Sequence, residues 1–254
     1  MSKLPALQID SDISRAWSIP APFYTDAEVC AQENERVFAR TWQVVGQRDQ
    51  LAKPGDFFTT ELLGEPLLLV RGAGGELRGF YNVCRHRAGP PAEGCGSRKL
   101  FRCSYHGWTY GLDGSLISAP EFEGQPGFDP KAFTLTPVRA EEWSNLIFVN
   151  LDPDAEPLVK TLGQLPQQAE RFGFADMKLF ERRTYDMQCN WKTYVDNYLE
   201  GYHLPSVHPG LTGSWITTPT RSSLMPAMCG SSVRFAGRSR ETLRLADIRK
   251  WPKI

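Results

Sequence analysis

Histidine is scarce in this chain, and net charge, long apolar runs and a nucleotide-binding glycine pattern are missing. Of 254 residues only four are His. No apolar run approaches the roughly eighteen residues of a candidate membrane span, and the opening Met-Ser-Lys-Leu-Pro-Ala-Leu-Gln-Ile-Asp lacks the apolar stretch of a signal peptide. Lys plus Arg and Asp plus Glu balance at 29 each, which removes the electrostatic case for nucleic acid or an anionic membrane as partner. A cytoplasmic location is the expectation. There is no Gly-rich dinucleotide fingerprint, so a nicotinamide cofactor would have to be handled by another protein. In such a setting six Cys favour metal or free thiols over disulfides. Cys30, Cys95, Cys189 and Cys229 have no metal-type context and are expected to be inert.

The composition is that of a globular chain, 41% apolar and 23% charged. Apolar spacing predicts a helix over 24–43. Short β runs follow: Phe57–Leu62, Pro66–Arg71, Leu77–Asn82 and Leu146–Asn150, with hairpin signals at Gly72-Ala73-Gly74-Gly75 and Asp113-Gly114. Residues 152–170 read as a polar, proline-marked crossing between domains. A strand-like stretch follows Phe180. A helix is expected from Trp191 to Tyr202, capped by Asn190 and stopped by Pro205. From Thr212 eight basic residues face only Glu241 and Asp247, a net charge of +6, and no strand or helix period precedes about Glu241. The fold class expected is α+β. The divisions are an N-terminal helical segment (1–41), an antiparallel β domain (42–151), the start of a second domain (152–211) and an atypical basic tail (212–254).

All four His fall into two clusters. The first is Cys84-Arg85-His86 and Cys103-Ser104-Tyr105-His106, sixteen residues (87–102) apart. A set of two Cys and two His suits zinc, but zinc fingers group the two Cys in one half and the two His in the other. Here each half mixes one thiolate with one imidazole. That mixture suits a Rieske [2Fe–2S] centre, in which two Cys hold one iron and two His the other. Gly89-Pro90-Pro91, Gly94 and Gly107 stiffen or turn these loops, and backbone N–H groups there can aim at sulfur. The second cluster is Asp196, Glu200, His203 and His208. On one helix Asp196, Glu200 and His203, at i, i+4 and i+7, would share a face, with His208 turning back from the following loop. Two His and a carboxylate form the facial triad of non-haem iron oxygenases, and Asn197 is placed to help position oxygen or water.

The runs Tyr-Asn-Val-Cys-Arg-His-Arg-Ala-Gly (81–89) and Cys-Ser-Tyr-His-Gly-Trp-Thr-Tyr-Gly-Leu-Asp-Gly-Ser-Leu (103–116) resemble the Rieske domain of ring-hydroxylating-type oxygenase alpha subunits. Arg-Thr-Trp-Gln-Val-Val-Gly (40–46) is similar to the start of that domain, and the Asn190–His208 segment to the family's mononuclear iron motif. The resemblance covers about residues 20 to 211. It implies an antiparallel β Rieske domain followed by a partial, helix-grip-like α+β catalytic domain. It implies a [2Fe–2S] cluster on Cys84, His86, Cys103 and His106, and a mononuclear Fe(II) on His203 and His208. Glu200 matches the carboxylate that links the iron site to a neighbouring subunit's cluster, where many members carry Asp. Also implied are O2 and a small organic substrate, a separate NAD(P)H-dependent reductase or ferredoxin as electron donor, and a homotrimer. The context looks closest to the branch acting on quaternary ammonium compounds such as choline, betaine or carnitine, with aromatic ring compounds next. A Rieske ferredoxin-like electron carrier or an inactive truncated oxygenase is the alternative. The family's third iron ligand is a carboxylate far downstream, and only about 45 residues follow His208. Codons for Gly213–Pro219 read two bases out of frame permit Glu-Leu-Asp-Tyr-Asp-Ala, an acidic stretch like the family's, so a frameshift near residue 212 is expected.

Overall fold

The unbroken apolar run Leu67–Val70 is fully buried in the computed structural model of the chain, and the sheet built around it carries the candidate site. The structure describes residues 7, 10–12, 14–122, 124–199, 201, 203–208 and 233–235. In chain order the elements are α1 (Pro22–Thr25), α2 (Ala27–Arg36), β1 (Gln43–Gln47), β2 (Asp56–Leu62), β3 (Glu65–Arg71), β4 (Leu77–Tyr81), β5 (Cys95–Ser97), β6 (Phe101–Arg102), β7 (Thr109–Tyr110) and β8 (Leu116–Ser118). They continue as β9 (Pro137–Trp143), β10 (Leu146–Asn150), α3 (Leu158–Leu162), α4 (Leu165–Ala169), β11 (Tyr185–Met187), α5 (Trp191–Leu199), α6 (Leu204–Val207) and β12 (Val233–Phe235). The chain divides into two compact units, Asn34–Arg182 and Met1–Glu33 with Arg183–Ile254.

The larger unit holds a seven-stranded sheet, in the order β1-β10-β9-β4-β3-β2-β5, and a three-stranded sheet β6-β7-β8, with every neighbouring pair antiparallel. Side chains alternate across a strand with period two. Thus Leu68, Val70 and Phe57 enter one apolar cluster with Phe101, Trp108 and Tyr110. Leu67, Leu69 and Phe58 enter a second with Val45, Leu51, Ile147 and Val149. A strand covered on both faces needs apolar residues at every position, which is why β3 reads as Leu-Leu-Leu-Val. Each such side chain contributes about 1.5–3 kcal/mol. The expected hairpins form: β3 pairs with β4 around Gly72–Gly75, and β7 with β8 around Asp113-Gly114. The β2–β3 hairpin turns through Leu63 and Gly64, both at positive φ (55° and 85°), the pattern of a two-residue primed turn.

Several expectations are corrected. The single helix over 24–43 is two helices and a short 3-10 turn at Phe38–Arg40. The break is Asp26, which is extended and accepts the Glu28 N–H (2.8 Å) to start α2 afresh. Residues 152–182 pack with the β domain in one compact unit. Leu158, 2% exposed, donates its N–H to Glu141 (2.9 Å), and Asn145 donates to the Met177 carbonyl (2.6 Å), which ties 152–182 onto the sheet. The helix expected from Trp191 to Tyr202 is α5, Trp191–Leu199, and Gly201 lies outside it. Pro205 does not end a helix. It sits in the first turn of α6, where a missing N–H is harmless. In the basic tail a strand does occur, since β12 pairs in parallel with β11. Three residues are too few to show a period, and the pairing partner supplies what the pattern lacks.

Arg71, 7% exposed, fixes three segments of the larger unit. It donates to the Leu51 carbonyl (2.8 Å), the Gly75 carbonyl (3.2 Å) and Glu142 Oε1 (2.5 Å). Removing one partner of a largely buried pair leaves the other charge uncompensated, at a cost of about 3 kcal/mol. Arg71→Met is therefore expected to lower the urea midpoint clearly in tryptophan-fluorescence unfolding; an unchanged midpoint would show that the network is incidental.

Candidate metal centres

Cys84 and Cys103 sit at equivalent points of two loops with the same hydrogen-bond pattern. The Cys84 carbonyl accepts the Ala88 N–H (3.0 Å), and its N–H donates to the Gly89 carbonyl (2.9 Å). The Cys103 carbonyl accepts the Gly107 N–H (3.0 Å), and its N–H donates to the Trp108 carbonyl (2.9 Å). In both loops the residue four past the cysteine has positive φ, Ala88 at 60° and Gly107 at 77°. Each loop springs from β structure, β4 before the first and the β6–β7 hairpin around the second. The base of the first is closed by Asn82, 7% exposed. Its side chain donates to the Ala92 carbonyl (2.8 Å) and accepts the Ala92 N–H (3.2 Å). The loop's exit is tied by Thr59, which exchanges bonds with Gly94.

The side chains meet as two pairs. Cys84 and Cys103 are both buried and interact through their sulfurs. The His86 and His106 rings lie edge to face with centroids 4.5 Å apart. Among the described residues no three His, Cys, Asp or Glu side chains group to hold a single ion, whereas a tetrahedral zinc needs all four donors on one point. Sulfur beside sulfur and imidazole beside imidazole fits a binuclear centre with a two-cysteine end and a two-histidine end. Two details fit it further. His86 Nδ1 is buried with no hydrogen-bond partner, so a donor atom is left over. A Cβ on Gly89 would lie 3.1 Å from Cys103 Sγ, so the loop leaves room for sulfur.

The electrostatics favour the ligand form of His86 and oppose that of Cys103. Desolvation, then the charges of His106 and Arg87, lowers the His86 pKa and keeps the imidazole neutral. Its ring stacks on Trp108 at 4.9 Å and 9°, and Phe122, Phe128 and Phe133 close around that indole. Burial raises the Cys103 pKa and the neighbouring Cys84 adds to the rise, while backbone hydrogen bonds from Tyr105 and His106 oppose it. Tyr110 Oη lies 3.2 Å from Cys84 Sγ and accepts the Arg85 N–H (3.0 Å). Burial first, then the bond to Cys84, pushes this phenol above its ordinary pKa, so the hydroxyl stays protonated and donates to a Cys84 thiolate. Asn82 and Tyr110 stand inside the motif runs, yet their roles need the three-dimensional contacts to be seen.

The second constellation is only partly assembled among the described residues. His203 and His208 bracket α6 as its N-cap and C-cap, and their rings approach to 5.5 Å at 77°. His203 is therefore not on the helix that carries Asp196, and the expected shared face does not form. Asn190 does cap α5, through a 3.0 Å bond to the Lys192 N–H. Asp196 accepts a hydrogen bond from Tyr24 Oη (2.6 Å), and Asn197 is exposed. Glu200 lies outside the described residues.

Comparison with known proteins agrees with this geometry. The Rieske [2Fe-2S] domain model matches residues 41–129, and the ring hydroxylating alpha subunit catalytic domain model matches 174–247. The carnitine monooxygenase oxygenase subunit of Acinetobacter pittii (strain PHEA-2) is 38% identical over 231 residues, covering 86% of this chain and 62% of that protein. The chloroplastic choline monooxygenase of Beta vulgaris is 38% identical over 195 residues, covering 74% of this chain and 44% of that enzyme. The crystal structure of the quaternary ammonium Rieske monooxygenase CntA with L-carnitine superposes with a TM-score of 0.75 at 36% identity, over 78% of this chain and 57% of that one. With both domains matched in order, the chain belongs to the Rieske-type ring-hydroxylating oxygenase alpha subunits. It spans less than two thirds of the length of these relatives. The catalytic-domain match runs to residue 247 and so extends into the basic segment. No described helix is long and apolar enough to cross a membrane.

Asn82→Ala removes both bonds that close the first loop and strands the buried Ala92 N–H and carbonyl. The expected cost is about 2 kcal/mol in unfolding free energy, with faster loss of bound iron on dilution into chelator. Wild-type iron retention in this variant would show that the loop holds its shape without the clamp.

Proposed function

We propose that this chain is the oxygenase component of a two-component Rieske monooxygenase that hydroxylates a quaternary ammonium compound, using O2 and electrons from a separate NAD(P)H-dependent reductase in the cytoplasm. The observation that carries the reading is the pairing of sulfur with sulfur and imidazole with imidazole on two matched loops. The substrate class is supported by the relatives named carnitine and choline monooxygenases and by the carnitine-bound structure. The ligands assigned are Cys84, His86, Cys103 and His106 for the cluster, and His203 and His208 for the mononuclear iron. When bound, the cluster supplies one-electron transfer and the iron supplies the place where O2 reacts.

The chain's own residues do the rest. Cys84 and Cys103 present their sulfurs from loops whose backbones are locked at both ends. The Tyr110 hydroxyl and the backbone N–H groups of Tyr105 and His106 donate to those sulfurs and stabilise their negative charge. His86 is held neutral and dry against Trp108, whereas His106 is exposed and offers an edge for electron exit. Glu200, by its match to the family's motif, is assigned as the carboxylate that carries this contact to a neighbouring subunit in a trimer. Asp196 and Asn197 support the iron side.

Anaerobic reconstitution with Fe(II) and sulfide tests the reading. The expected product is coloured, becomes paramagnetic on reduction with dithionite, and loses the cluster signal in Cys84→Ser. Near three irons per chain supports an oxygenase, near two a Rieske electron carrier, and a colourless zinc protein would overturn both. Carnitine- or choline-dependent O2 uptake with a reductase tests the substrate class. Tyr110→Phe is expected to keep the cluster spectrum but lower its reduction potential by about 70 mV, one hydrogen bond to a charged sulfur expressed for a one-electron couple. An unchanged potential would remove Tyr110 from the account.

A further inference from the structure

The smaller unit has its own polar network, remote in sequence from the paired loops. The Glu33 carboxylate on α2 accepts from Trp191 Nε1 (2.8 Å) and from Lys192 Nζ (2.6 and 2.7 Å). Lys192 is 9% exposed, and its ammonium lies 5.8 Å from the centre of the Tyr24 ring and 5.1 Å from that of Trp191. About one turn further along α5, Tyr24 Oη donates to Asp196 Oδ2 at 2.6 Å. The N-terminal helices thus hold α5 at Trp191, Lys192 and Asp196, across 158 to 172 residues of sequence.

An isolated helix of nine residues is too short to be stable in water, so these anchors decide how α5 sits. The Glu33 bonds fix its first turn. Both bonds meet at one carboxylate through flexible side chains, which leaves the helix as a whole some freedom to roll, and the bond from Tyr24 to Asp196 one turn on removes it. Downstream of α5, the Gly201 carbonyl accepts the Leu204 N–H (3.2 Å) and starts the turn that carries His203 and His208. The histidine turn thus begins two residues after the last residue of α5, Leu199.

We propose that Tyr24 is a positioning residue for the His203–His208 metal site: its hydroxyl, bonded to Asp196, sets the phase of α5, and the N-terminal helices are part of that site's support. The inference rests on the reading of His203 and His208 as iron ligands. Burial, and then the bond to Asp196, pushes the Tyr24 phenol up to about 12, so the donor keeps its proton throughout the physiological range.

The test uses the full chain with its cluster reconstituted, titrated anaerobically with Co(II), whose d–d absorption reports both occupancy and ligand geometry. Tyr24→Phe is expected to weaken Co(II) binding by roughly tenfold, the low end for loss of an outer partner, and to alter the d–d bands, while the cluster spectrum stays as in wild type. The Tyr24→Phe/Asp196→Asn double variant should lose no more than the worse of the two single variants, because both break one bond. Wild-type affinity and bands in Tyr24→Phe overturn the proposal, as does a loss matched by equal loss of cluster or of thermal midpoint. If the wild-type chain takes up no Co(II) that His203→Ala removes, the iron-site reading itself falls, and this inference with it.

Discussion

Two cysteine sulfurs buried side by side repel once both lose their protons, and the larger unit is arranged to make that tolerable. Burial alone moves Cys103 toward the thiol. The opposing contributions come from the backbone N–H groups of Tyr105 and His106, and beside Cys84 stands the hydroxyl of the fully buried Tyr110. These donors are useful only if the loops do not breathe. Hence the repeated backbone closure of each loop, the Asn82 clamp, and the positive-φ residue four past each cysteine. The apolar cluster behind the loops contains Cys84, Cys103, Trp108 and Tyr110 as members. Packing and ligand placement are therefore one property here, since a cavity in that cluster would move a sulfur.

The two candidate sites are supported by different means. In the first, each donor stands on a loop whose ends are strands, and backbone hydrogen bonds set its direction. In the second, the donors cap a helix of four residues, and the support is a set of side-chain bonds from the N-terminal helices to α5. The first site keeps its backbone closures when one side chain such as Asn82 is lost, whereas the proposed support of the second is concentrated in a few side chains. The second site should accordingly be the one that mutation, mild denaturation or a low iron supply empties first.

The parts of this structure legible in the sequence are those written locally. Gly72–Gly75 and Asp113-Gly114 announce their hairpins because positive φ has few alternatives to glycine and asparagine-like residues. Cys84, His86, Cys103 and His106 announce themselves because mixed Cys/His spacing twice in one chain has few other uses. Asn190 is readable as a cap because its side-chain oxygen can accept a first-turn N–H. What the sequence hides depends on partners far along the chain. Asp26 interrupts a segment whose apolar spacing continues through it, and only its own side chain's turn shows the break. Pro205 looks like a stop but is a start, because a proline fits the first turn of a helix as well as the end of one. β12 is three residues whose identity as a strand comes wholly from β11. The supports Asn82–Ala92, Tyr110–Cys84 and Tyr24–Asp196 join residues 10, 26 and 172 positions apart, and none has a spacing that betrays it.

The two histidines of the first site are unequal, and the inequality has a direction. His86 is half-buried and stacked on Trp108, with aromatic rings beyond it. His106 is exposed, and its ring is 3.9 Å from that of Tyr105, itself 63% exposed. A centre held between them would face aromatic rings on the His86 side and be open on the His106 side. Electron transfer through protein needs a close contact at the point of exit. On the reading proposed here, that contact must be made at the Tyr105–His106 edge. A carboxylate such as Glu200 on a second copy suits it, because it can accept a hydrogen bond from an imidazole whose other nitrogen is committed to metal. The same edge left bare would face water, which offers no fixed path onward. The asymmetry of the two imidazoles thus gives the proposed electron exit a side, the exposed Tyr105–His106 edge.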